Sequence, residues 1–126
     1  MSFSNFLETE ILDHVFANNA YTSPSAVYVG LFTDNPDEGG TGTEVSGGSY
    51  VRQTASFTVS GNTATTDAAV EFPTATANWG TITHIGIYDA ETSGNLLAYS
   101  ELDAAKTISS GDVLRIPTGD IDITLD

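Results

Sequence analysis

The sequence predicts an all-β, mainly antiparallel fold: a β-sandwich or small barrel of about seven to eight strands, preceded by one short N-terminal helix. Three observations predict it. Short runs rich in β-branched and aromatic residues recur along the 126 residues, each bounded by Gly, Pro, Asn, Asp or Ser. The run from Asn78 to Ala90 is apolar on both faces, as an inner strand covered on two sides would be. Helical spacing of apolar residues occurs once, from Phe6 to Phe16.

The elements follow in chain order. Asn5 has N-cap chemistry, with Glu8 at capping-box spacing. Leu7, Ile11 and Val15 then recur at i, i+4 and i+8, flanked by Leu12 and Phe16, so a helix over about 5–17 has an apolar stripe. Asn18-Asn19 ends it. Three turns are marginal alone in water, so this helix has to dock on the sheet or on another subunit. Phe6, Leu7, Ile11 and Val15 are therefore interface candidates.

The β region spans about 25–126. Ala26 to Phe32 alternates Val27, Val29 and Leu31 with Tyr28 and Phe32, and is expected to pair with the Trp79 strand. Residues 33–48 are poor in large apolar side chains and rich in Gly, Asp and Glu, and read as an exposed acidic loop. Val51 to Val59 alternates Val51, Ala55, Phe57 and Val59 inward with Arg52, Thr54, Ser56 and Thr58 outward, and Gly61-Asn62 marks a hairpin turn. Val70 and Phe72 lead into Pro73. In the central strand, strict alternation puts Trp79, Ile85 and Ile87 on one side and Ile82, His84 and Tyr88 on the other. Leu96 to Ser100 returns beside it, Val113 to Ile116 is extended, and Ile121, Ile123 and Leu125 alternate with acidic or hydroxyl residues. The expected core is Val29, Leu31, Phe57, Trp79, Ile82, Ile85, Ile87 and Tyr88. No linker or repeat divides the chain, so 1–126 is read as one domain.

Composition narrows the function. Seventeen acidic residues face only Arg52, Lys106 and Arg115, a formal net charge of −14. Binding a phosphate backbone requires Lys and Arg, so nucleic acid and an anionic membrane surface are disfavoured as partners. Without cysteine there is no disulfide framework or thiolate metal site. The first residues carry no basic, long-apolar signal pattern, so no secretory signal is read and the product is expected to be soluble in the cell that makes it. Yet 18 Thr, 12 Ser and 12 Gly resemble the composition of an exterior protein.

No catalytic constellation stands out. His14 and His84 lie on different elements and no Gly-x-Ser-x-Gly is present, so structural histidines are the better reading. The loop acids Asp34, Asp37, Glu38 and Glu44 could attract Ca²⁺, but Pro36 occupies the position where an EF-hand loop needs an oxygen ligand. A solvated loop is preferred. Arg52, just after Tyr50-Val51, should meet Glu44 or Glu71 within the chain or across a subunit boundary, and as an exposed pair it would contribute about 0–1 kcal/mol. Tyr50 and Arg52 complete the interface candidates. No catalytic, cofactor or metal residue is assigned.

Several blocks together carry a resemblance: Phe6-Leu7-Glu8, Tyr28-Val29-Gly30-Leu31-Phe32-Thr33, Thr43 to Gln53, Phe72 to Ala90, and Gly119 to Leu125. Over nearly the whole chain these resemble a family of short tailed-bacteriophage virion proteins commonly labelled tail fibre proteins. The resemblance implies a virion structural protein without an active site. A fibre shaft needs sustained heptads or a repetitive β segment, and neither is present. The expectation is therefore a capsid decoration or cement protein on the head surface, assembled in the host cytoplasm, binding the capsid and its own copies as a homo-oligomer, most simply a trimer. A tail-fibre, tail-tip or head-spike module contacting tail proteins or a host surface receptor is the alternative.

Overall fold

The computed structural model describes residues 1–126. In chain order the elements are β1 (Ser2–Phe3), α1 (Asn5–Phe16), β2 (Val27–Phe32), β3 (Gln53–Ala55), β4 (Phe57–Ser60), β5 (Thr63–Thr66), β6 (Val70–Glu71), β7 (Gly80–Tyr88), β8 (Leu96–Ile108), β9 (Arg115–Ile116) and β10 (Asp122–Thr124). All strand pairs are antiparallel. They form a five-stranded sheet ordered β1-β8-β7-β2-β3, a three-stranded sheet β10-β5-β4 and a two-stranded sheet β6-β9. The all-β, antiparallel expectation with one short N-terminal helix holds. The sheets do not close into a barrel.

The two-faced strands lie in the interior of the large sheet. β7 is flanked by β2 and β8, with Val29 opposite Ile87 and Leu31 opposite Ile85. These four share one face and join Ile82, Trp79, Ala98 and Ile108 in a core of fifteen buried residues. Across from that face, Val70, Phe72, Leu114 and Ile121 close the same core, so it sits between the large sheet and the two smaller ones. Burying Val29 or Leu31 fully stabilises the fold by roughly 1.5–3 kcal/mol each. The opposite face of the large sheet carries a second cluster of Phe32, Tyr88 and Leu96. Gly30 and Gly86 stand directly opposite one another there. A Cβ on Gly86 would come within 2.7 Å of Leu96 Cδ1 and 3.0 Å of Phe32 Cε1, so the bare backbone makes room for these side chains.

Four expectations are corrected. Strict alternation placed Ile82 with His84 and Tyr88, but the β7–β8 register shifts between Ile82 and His84, and Ile82 packs with Ile85 and Ile87. A bulge resets which side chains share a face. The run Val51 to Val59 is not one strand: β3 pairs with β2 in the large sheet and β4 pairs with β5 in the small one. The break at Ser56 leaves Val51 41% and Val59 71% exposed, while Ala55 is buried and Phe57 is half-buried against the main core. The strands number ten: the Val51 to Val59 run supplies two of them, and β1, a two-residue pairing with no alternation to read, adds another.

The fourth concerns the helix start. Its N-cap is Ser4, not Asn5: the Ser4 hydroxyl oxygen accepts the Leu7 N–H at 3.2 Å and donates to the Leu96 carbonyl. Ser4 is buried because Ser2 and Phe3 pair with Tyr99 and Ala98 of β8, which draws the chain onto the sheet edge one residue earlier.

Candidate functional site

The loop after β2 folds back onto the strand it leaves. Phe32 bridges to Glu44, the Val45 N–H donates to Leu31 O at 2.9 Å, and Val45 and Pro36 are buried. Asp34, Asp37 and Glu38 remain exposed, so the acidic loop expected over 33–48 is exposed along one margin and anchored along the other. Gly42 fixes the turn, since a Cβ there would lie 2.5 Å from Pro36 Cα.

This fold-back places Glu44 over the second face of the large sheet. Its Oε2 accepts the Tyr50 hydroxyl at 2.6 Å and Arg52 Nε at 2.8 Å, and its Oε1 accepts Arg52 Nη2 at 2.8 Å. The fork-on-fork geometry is the strong form of an ion pair. Arg52 Nη1 donates to the carbonyls of Ala90, at 3.0 Å, and Ser93, at 2.7 Å, and the guanidinium lies 3.5 Å over the Tyr88 ring. Tyr88 stacks on Phe32 with centroids 6.2 Å apart, and Tyr50 OH accepts the Leu31 N–H at 2.9 Å. On its other side Tyr50 meets Trp79 edge-on at 5.5 Å and stacks on Phe72 at 6.1 Å, while Trp79 Nε1 donates to Gly48 O.

Of the two partners weighed for Arg52, Glu44 is the one. Glu71 instead lies 4.0 Å from Arg115. The Arg52 side chain is 8% exposed, so the pair is not the solvent-exposed one expected, and Arg52 and Tyr50 point into the chain's own interior. Burial pushes the Tyr50 phenol well above its ordinary value, and the Glu44 hydrogen bond and charge push it the same way. Burial alone would lower Arg52, but the Glu44 carboxylate outweighs it and holds the guanidinium more firmly charged. Burial and the Glu44 charge also raise Tyr88. A cation whose donors are shared among a carboxylate and two carbonyls is a clasp. It joins the loop, the residue just ahead of β3 and the turn after β7, and it occupies the Arg52 donors.

The other singled-out residues fall as follows. Val29, Leu31, Trp79, Ile82, Ile85, Ile87 and Tyr88 are buried. On the helix, Phe6, Leu7 and Ile11 are half-buried, whereas Val15 is 57% exposed beside Leu12 at 58% and Phe16 at 78%. The apolar stripe is thus split: its N-terminal half rests near β8 and its C-terminal half faces outward. His84 lies 2.8 Å from the Thr83 hydroxyl and His14 lies 3.3 Å from Asn19 O, on separate elements. No three His, Asp or Glu side chains converge as a metal cage, and no helix is long and apolar enough to cross a membrane.

Two of the surface clefts border these elements. One, of about 400 Å³, lies at the start of α1 beside Glu38, Tyr88 and Asn95. The other, of about 510 Å³, runs between β8 and the Arg115–Asp122 segment. Sequence reading missed both, along with the Tyr88 ring and the two carbonyls as partners of Arg52, because each is assembled from segments far apart in the chain. A family model described as Podophage GP4 fiber I protein gp80 matches residues 2–124. No curated protein matches the chain.

Proposed function

The chain belongs to the family described as Podophage GP4 fiber I protein gp80, and from that premise we propose that it is a non-enzymatic structural protein of a tailed-phage virion, built into a fibre or tail tip and serving host attachment. The match over residues 2–124 is the observation that carries this reading. It favours the fibre alternative ahead of the capsid-decoration role expected above. The chain supplies no shaft, so its place is that of a compact module seated on other fibre or tail proteins. The tied-up Arg52 clasp supports a rigid structural role rather than chemistry.

Quantitative mass spectrometry of purified virions tests the placement. A fibre or tail module is present in a handful of copies and is lost when tails are removed. Hundreds of copies that stay with emptied heads would restore the decoration reading.

Self-association is part of the proposal. Leu12, Val15 and Phe16 form an apolar patch on a chain whose surface is otherwise strongly acidic, and covering that patch with a second and third copy would close a homotrimer. Sedimentation of the purified chain as a monomer at micromolar concentration would count against it.

A further inference from the structure

The longest strand has an open flank. β8 runs from Leu96 to Ile108, yet on the side away from β7 it is paired only at Ala98 and Tyr99, by β1. Beyond them about 20 Å of backbone, Ser100 to Lys106, has no strand beside it. The pairing with β7 also lapses here: Ile82 is opposite Lys106 and His84 opposite Glu101, so Thr83 alone faces the four residues Leu102 to Ala105. Leu102 to Ala105 therefore have no paired strand residue on either side.

The 510 Å³ cleft continues the row that β1 begins. Met1, the next residue along from β1, lines it, as do Ser100 to Ala104 and Lys106. Its apolar wall is presented by the half-buried Leu102 and Ile116, and the nearly fully buried Leu31, Ile85, Leu114 and Ile121 of the main core border it. Its rim carries Glu101, Asp103, Asp120 and Asp122 against Lys106 and Arg115. An unpaired edge, an apolar wall and an acidic rim together describe a slot for one extended chain.

We propose that this slot receives an extended segment of a different virion protein, added beside β8 as a strand, with alternate apolar side chains turned to the apolar wall and Lys or Arg side chains meeting the rim acids. The inference rests on the virion-structural reading. A second copy of this chain is a poor donor: of its three cations Arg52 is enclosed, and Lys106 and Arg115 sit on the rim of this same slot. A basic partner is what the rim complements.

Nuclear magnetic resonance and amide hydrogen exchange on the full chain test this, first on the wild type and then on one charge-reversed variant. The probe is a synthetic nine-residue peptide alternating valine with lysine; the controls carry glutamate for lysine, or the same composition with valines and lysines in separate blocks. The alternating basic peptide should slow exchange of the Leu102 to Lys106 amides at least tenfold at saturation and shift their resonances, with both controls at least tenfold weaker. The charge-reversed variant Asp103→Lys/Asp120→Lys, folded by circular dichroism, should bind the basic peptide at least tenfold more weakly. No slowing at millimolar peptide, slowing confined to other parts of the chain, or equal slowing by the blocked control overturns the proposal and leaves the bulge as a device that blunts an edge. Virion copy number is unaffected by any of these outcomes, so this test and that of the fibre reading fail separately.

Discussion

Arg52 holds together parts of the chain that share no local pattern. Removing one member of a buried pair strands the other, and breaking such pairs costs about 3–5 kcal/mol. With Glu44 retaining 23% side-chain exposure, Arg52→Leu is expected near the lower end, roughly 3 kcal/mol by urea denaturation. Arg52→Leu/Glu44→Leu should recover part of that loss, because no unpaired carboxylate remains. Tyr50 and Tyr88 contribute to the alkaline limit. Both phenols are held above their ordinary value of 10.0, so the unfolded chain releases these protons first. Their contribution is intact below about pH 10 and is lost as pH rises beyond it. Tyr50→Phe should flatten the fall of stability between about pH 10 and 12, measured by fluorescence-monitored unfolding.

At the scale of elements, α1 is held at its start and bare at its end. Ser4 caps the helix and ties it to β8, so Ser4→Ala should cost about 1–2 kcal/mol, the upper range for a cap, and should raise amide exchange in Phe6 to Glu8. Phe16→Ser removes the most exposed apolar ring and should change monomer stability by less than about 0.5 kcal/mol. If the helix patch is the self-association surface, the same variant sediments as a monomer where the wild type does not. The helix itself was legible in the sequence because i, i+4 spacing is a local property, and β2 and β7 were legible because both faces are apolar. The β3–β4 break was not: Ser56 sits inside an unbroken alternation, and only competition between two sheets for the same segment divides it.

Over the whole molecule, charge is the dominant feature. A net charge of −14 spread over 126 residues disfavours the compact state through self-repulsion that salt screens. Raising ionic strength from about 0.01 to about 0.15 M, which shortens the Debye length from about 30 to about 8 Å, should raise the melting temperature. A melting temperature that falls over that range would show that ion pairs such as Arg52–Glu44 outweigh the repulsion. By itself the sequence determined the antiparallel β class, the two-faced strands, the single helix and the poverty in cations, all of which depend on composition or on neighbours a few residues apart. The tertiary structure alone decided that Arg52 takes Glu44 and the Tyr88 ring, that Ile82 turns toward Ile85, and that β8 is left open beside a cleft. Those outcomes depend on register and bulges between segments tens of residues apart, where a one-residue slip changes which side chains meet.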